Sequence, residues 1–442
     1  MTATDQSQSL NLHRDDHNGS HKLDHVCPNH RHETTLSFEY KEPSKFAFEQ
    51  QSQGADGLAL LAMGKHVRTG GEIRVRPMKE RSETKIRVDL DIRASDPKLF
   101  KSESLSIAEK GSTLTVKTPK ELNDKEPSKH AKESPCLYIL ATVWISPGTT
   151  LETLGIHSEM LSVIFDPGLD YAILRKTEVS AHSASLSIDG VKPPLAMTLY
   201  SRETVINVNS ASVTGSYPLY DLLTIHTNSG SIDITIDPKV ASKDNVKPAV
   251  LRLTSNSGSI RATTSTTSVP DRDYRTDIST SDGSMDLALL HGLRTSLRSI
   301  NGRMTVDLYP YGHNNSRTDI ETHSNSGSTD ITVHRSISHP TAPLKELFAF
   351  YHADSGSMQL WYPAQWQGTV QGTTSSGSIN LDWDGLKIVK DEKRGWTKRA
   401  IEAVRGDGEA KLFFTESSGS MTLGGESGSG IYIGERRSRK NV

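Results

Sequence analysis

The 442-residue chain carries 51 Lys and Arg against 53 Asp and Glu, a net charge of −2, so it has no field of one sign with which to hold nucleic acid or an anionic membrane. Hydrophobic residues make up 34% and aromatics 6%, low for a compact globule, and abundant Ser, Thr and Gly point instead to turns and thin, two-faced sheet. The longest apolar run, Cys136 to Ile145, is too short to cross a bilayer as a helix, and the start Met1-Thr-Ala-Thr-Asp-Gln-Ser7 has neither a basic n-region nor an apolar h-region. Both features predict a soluble, cytoplasmic protein without a transmembrane segment.

Residues 1–35 are polar, lack periodicity and hold His13, His17, His21, His25, His30 and His32, so they read as a disordered His-rich tail. Imidazoles so close together attract zinc, copper or nickel, but the spacing matches no zinc site with paired ligands; no metal site and no cofactor is assigned. Cys27 lies in this tail and Cys136 in an apolar run. A bridge would tie a mobile tail to a core strand, so free thiols and a reducing compartment are expected.

Residues 36–200 form a β-rich N-terminal part. Glu72-Ile-Arg-Val-Arg76, Lys85-Ile-Arg-Val-Asp-Leu-Asp-Ile92 and Thr113-Leu-Thr-Val116 alternate as half-buried strands do, while Leu137 to Ile145 is apolar enough to be buried on both faces. Pro147-Gly148 and Pro167-Gly168 are turns, and the charged stretch from Pro119 to Pro135 is a loop.

Residues 201–434 repeat one phrase. It reads Asn228-Ser-Gly-Ser-Ile-Asp-Ile-Thr-Ile236, and the glycine returns at Gly230, Gly258, Gly283, Gly302, Gly327, Gly356, Gly377 and Gly419, with a further copy at Gly428, at a loose period of roughly 25 residues. Glycine accepts positive φ and the preceding Asn, Asp or Ser bonds its own backbone, so the triplet is a turn; the alternation after it is a strand with one apolar face. No unit can bury that face alone. Stacking does, with small corner residues letting successive turns approach, which predicts an all-β, β-solenoid-like stack. An antiparallel β-sandwich of hairpins is the alternative. A short helix is expected at Lys398-Arg-Ala-Ile-Glu-Ala-Val404, where helix formers cluster. Residues 435–442, with Arg436-Arg-Ser-Arg-Lys440, read as a basic disordered tail.

The candidate chemistry is sparse. Asp233, Asp286 and Asp330 hold one place in three repeats, where aligned carboxylates could hold calcium or work as acid and base on a polysaccharide. The same place elsewhere holds Arg261, Thr305, Gln359, Asn380 and Thr422, which fits a solvated face. Trp361, Tyr362 and Trp366, with Trp383 and Trp396 nearby, either present rings to sugars or cap the terminal rung of the stack, the reading preferred here. No P-loop, dinucleotide fingerprint or metalloprotease motif occurs, and the only trace of a serine-hydrolase elbow is the fragment at Gly428-Ser-Gly430.

The block from Gly215 to Ile225 followed by Thr227-Asn-Ser-Gly-Ser-Ile232, with Pro238-Lys239, Lys247-Pro-Ala-Val-Leu251, Pro270-Asp-Arg-Asp-Tyr-Arg-Thr276 and Trp361-Tyr-Pro-Ala-Gln-Trp366, resembles a group of uncharacterised fungal proteins. These are similar to the broader putative-adhesin class, whose Ser-Gly-x repeats build β-solenoids. The resemblance spans residues 70 to 430 and implies no catalytic residues; it implies the cell surface as the alternative location. The expectation is a non-enzymatic, adhesin-like protein presenting a surface for protein or glycan, with a β-helix enzyme acting on polysaccharide as the alternative.

Overall fold

The computed structural model describes residues 27, 30–53, 65–101, 105–122, 134–183, 185–188, 198–242, 247–312, 317–394 and 397–425. Gly428, Trp396, residues 435–442 and His13, His17, His21 and His25 lie outside the described residues.

Most repeats fold as one strand running into the glycine corner and one leaving it, whereas Gly368–Asp382 and Ala410–Gly425 run unbroken through Gly377 and Gly419. Leu222–Thr227 and Ile232–Pro238 flank Gly230, Ala249–Ser255 and Ile260–Thr264 flank Gly258, and Tyr274–Thr280 and Met285–His291 flank Gly283. Alternation decides what faces inward: Ile232, Ile234 and Ile236 are buried, whereas Asp233 and Thr235 are exposed. Through these repeats each strand pairs in parallel with the second strand along. Thus Ile232–Pro238 pairs with Ile260–Thr264, and Leu222–Thr227 with Ala249–Ser255. Two parallel ladders result, their inward side chains forming one core that runs from Tyr40 to Leu423. The repeats therefore build a two-sheeted β-solenoid and pair in parallel, as hairpins cannot.

The same ladders continue across residue 200. One passes from Thr198–Val208 through Asp170–Ala181, Thr149–Ser158 and Lys45–Gln53 to Thr113–Pro119. The other passes from Leu186–Ile188 through Ser162–Phe165 and Arg68–Pro77 to Cys136–Ile145. They end in antiparallel strands, Ser106–Lys110 on the first and Ile86–Ala94 then His32–Tyr40 on the second.

That antiparallel edge corrects the reading of the cysteines. Arg31 N–H donates to the Ala94 carbonyl and Ser95 N–H to that of Cys136, so the chain before His32 runs back beside the start of the Cys136 strand. Cys27 and Cys136 form a disulfide there, with Cα atoms 5.4 Å apart, and neither thiol is free.

The C-terminal end is threaded out of order. Ala410–Gly425 pairs on one side with Leu347–Ser355 and Met358–Tyr362, and on the other with Gly368–Asp382. The last strand among the described residues is thus an inner rung, and Gly368–Asp382 is the outer one. Lys398–Arg405, expected to be helical, is instead a strand antiparallel to Gly368–Asp382, with Lys387–Arg394 on its far side. The open edge of the outer rung offers a row of unpaired backbone groups, and burial of Ile401 and Ala403 on one face outweighs helix propensity.

Candidate functional site

In-register parallel strands bring equivalent side chains to about 4.8 Å from one another. On the outer face of one ladder a single row therefore collects Glu49, His157, Ser180, Asn207 and His226 from five successive strands. Nearer the corner lie Glu159, His182, Asn209 and Asn228. Together they line a shallow, open cleft of about 590 Å³.

The cleft is wired by its own side chains. His157 Nδ1 lies 2.7 Å from Ser180 Oγ, Asn209 Nδ2 is 3.2 Å from His182 Nε2, and Asn228 Nδ2 donates to Asn209 Oδ1 at 3.1 Å. Glu159 accepts from Ser52 N–H at 2.9 Å, and Glu49 from Gln51 Nε2 at 3.1 Å. Beneath the floor, buried Gln50 accepts the N–H groups of Glu159 and Met160 at 3.0 and 2.9 Å and donates to Thr118 at 3.2 Å. An amide buried and satisfied in this way fixes the corner, so the outer groups sit on a held floor. Amides, imidazoles and carboxylates side by side supply both donors and acceptors, the chemistry that hydroxyl-rich or peptide ligands need.

This row escaped the sequence reading, although a signal existed. A histidine stands four residues before the corner glycine at His226, His323 and His352, and the register aligns those places on one face.

Two physical constraints act on the glycines of the repeated phrase. A Cβ on Gly258 would sit 2.0 Å from the Gly230 carbonyl oxygen, and one on Gly302 would sit 1.9 Å from that of Gly283. Gly230, Gly258, Gly283 and Gly302 thus answer to the neighbouring rung. Only Gly327, Gly356, Gly377 and Gly419 among the eight add positive φ, 116° at Gly327. A hydroxyl three residues before the glycine completes the corner: Gly230 N–H donates to Thr227 Oγ1 at 2.9 Å and Gly258 N–H to Ser255 Oγ at 2.8 Å.

The aligned aspartates are interrupted. Arg261 stands between Asp233 and Asp286, 3.2 Å from one and 3.5 Å from the other, on an exposed face. Tyr362 and Trp366 are fully buried, with ring centroids 5.9 Å apart, and Trp383 joins them under the Arg405 guanidinium, 4.9 Å from its ring. Neither Tyr362 nor Trp366 offers a face to a sugar. Trp361 is half-buried on the outside, its ring lying where a Gly424 Cβ would be 2.2 Å away.

Four of the motifs that carry the resemblance, those holding Asp221, Lys239, Lys247 and Arg272, meet at one side chain. Arg272, from Pro270-Asp-Arg-Asp, has a fully buried side chain and donates to Asp221 at 3.2 Å and to the carbonyls of Lys239 and Lys247. Asp221 also takes Arg202. Their joint work is to pin two loops to the solenoid.

No protein-family model matches the chain, and no curated protein matches it by sequence. Among solved structures, a "putative adhesin" from Parabacteroides merdae is 10% identical with a TM-score of 0.24, over 68% of this chain and 95% of that one. A "putative cell adhesion protein" from Clostridium sporogenes is 7% identical with a TM-score of 0.15, over 89% and 99%. A "putative lipid binding protein" from Parabacteroides distasonis is 11% identical with a TM-score of 0.28, over 89% and 97%. Among the described residues no helix is long and apolar enough to cross a membrane.

Proposed function

We propose that the protein is a non-enzymatic, adhesin-like β-solenoid that binds a glycan in the cleft between Glu49 and Asn228. The observation that carries this reading is the row of amides, imidazoles and carboxylates held in register on a hydrogen-bonded floor. Sugar hydroxyls both donate and accept, and a rigid row spends little ordering entropy in meeting them. The disulfide supports an oxidising compartment, and so the cell surface over the cytoplasm.

Glycan-array binding by the purified chain tests the proposal, with Asn209→Ala and His226→Ala as cleft variants. Signal lost in both variants is the expected result. Binding to no glycan, with a protein recovered by cross-linking from the cleft, would move the reading to a protein partner. A second reading, a polysaccharide-cleaving enzyme, draws on Glu49 and Glu159 sharing the cleft. Release of reducing ends from a bound glycan, abolished by Glu159→Gln, would replace binding with catalysis.

A further inference from the structure

Two consecutive rungs carry the same outward pair before their corner glycine: His323-Ser-Asn325-Ser-Gly327 and His352-Ala-Asp354-Ser-Gly356. The strands Thr318–Ser326 and Leu347–Ser355 are paired in register, His323 opposite His352, with Ser324 opposite Ala353 and Ser326 opposite Ser355. Asn325 therefore stands beside Asp354, and four potential ligands form a two-by-two block on the outer face. The imidazoles are stacked with centroids 4.7 Å apart and planes inclined by 18°, and His352 Nε2 lies 3.1 Å from Asp354 Oδ1. One ligating atom from each of His323, His352 and Asp354 lies within 4.8 Å of the others. A second observation comes from the neighbouring register position: Asn325 Oδ1 is buried and has no hydrogen-bond partner.

We infer that His323, His352 and Asp354, with Asn325 Oδ1 as a fourth oxygen, bind a borderline divalent cation of the zinc class across the two rungs. Two imidazoles and a carboxylate suit zinc and its transition-metal neighbours, whereas calcium and magnesium prefer oxygen throughout. Tetrahedral bonds of about 2.0–2.1 Å need ligand atoms about 3.3 Å apart. The side chains must draw together by up to about 1.5 Å from strand spacing, within reach of rotations about χ1 and χ2. The flanking places in the same row are Arg298, exposed and able to turn its guanidinium into solvent, and Thr415. His226 shows what is missing elsewhere: its row neighbours are Asn207 and Thr254, so no second imidazole is in place.

The test uses the full chain, with its disulfide and N-terminal histidines intact, so that any metal held by those histidines is common to every sample. Zinc is titrated against a chromophoric chelator, and cobalt is added as a spectroscopic probe. The double variant His323→Gln/His352→Gln should bind one zinc fewer than the wild type and lose the visible bands of a tetrahedral cobalt site. Asp354→Asn should keep the metal-free Tm and weaken zinc binding at the site about tenfold or more. If the double variant fails to fold, Asp354→Asn carries the test alone. Equal zinc stoichiometry and an unchanged cobalt spectrum in the double variant, or unchanged affinity in Asp354→Asn, would overturn the inference.

Discussion

Glu416 breaks the rule that its own position sets. In register it follows Ser324 and Ala353 in the inward row that begins with Thr227 and Ser255, and in the earlier rungs a hydroxyl there serves the glycine corner. Glu416 is 1% exposed, neither carboxylate oxygen has a hydrogen-bond partner, and burial pushes its carboxyl up to about 7 from an ordinary 4.5. The sign follows from linkage. The folded chain holds this proton where the unfolded chain has lost it, so the contribution of Glu416 to stability is greatest below 4.5, falls as pH rises to about 7 and is flat beyond. Glu416→Gln keeps the shape and removes the charge; it should gain about 1–3 kcal/mol over the wild type at pH 8 and almost nothing at pH 4. Urea midpoints of both proteins at the two pH values check this, and an equal difference at each would show that Glu416 is not the titrating group. None of this was legible beforehand, because Glu416-Ser-Ser-Gly reads as an ordinary copy until burial is known.

For the corner as an element, the question is why it needs glycine. Two causes are separable, because Gly111 has positive φ and no crowding, whereas Gly258 is crowded by its neighbouring rung without positive φ. Gly111 has φ of 62° and open space where a Cβ would go, while a Cβ at Gly258 meets the Gly230 carbonyl at 2.0 Å. Gly111→Ala should therefore cost about 1 kcal/mol of backbone strain. Gly258→Ala must push two rungs apart and should cost at least about 3 kcal/mol. Chemical unfolding of the two variants decides, and a loss at Gly258→Ala no larger than at Gly111→Ala would show that neighbouring rungs yield to a Cβ at little cost. The phrase Ser-Gly-Ser with its alternating tail was enough to predict corner, strand and stack, because turn chemistry and period-two burial are local. The strand at Lys398–Arg405 and the Cys27–Cys136 bridge were not legible, since each depends on a sheet edge supplied by distant residues. The cleft and the histidine block were hidden for the same reason: their residues become neighbours only once the rung register is fixed.

At the scale of the whole molecule, the order of rungs in space departs from the order in the chain at both ends: Lys45–Gln53 lies between Thr149–Ser158 and Thr113–Pro119 at one, and the last described strand is displaced at the other. Ala410–Gly425 fills a slot between Met358–Tyr362 and Gly368–Asp382, so the outer rung and its antiparallel cover of Lys398–Arg405 and Lys387–Arg394 are joined to the stack by the last strand. Leu412, Phe414, Met421 and Leu423, all buried, are the core of that joint. In a solenoid, stability is close to a sum of rung and nearest-neighbour terms, so damage stays local. Deleting residues 410–442 should strip amide protection from residues 368–405 and weaken it at 347–362, while the rungs between 222 and 310 keep theirs. It should also bare the edge of Met358–Tyr362 and promote association through it. Hydrogen exchange on the truncated chain measures both halves of the claim. Retained protection at 368–405 would mean that the outer rung docks without its partner; loss throughout the chain would mean that the solenoid folds as one unit and the nearest-neighbour account is wrong for it.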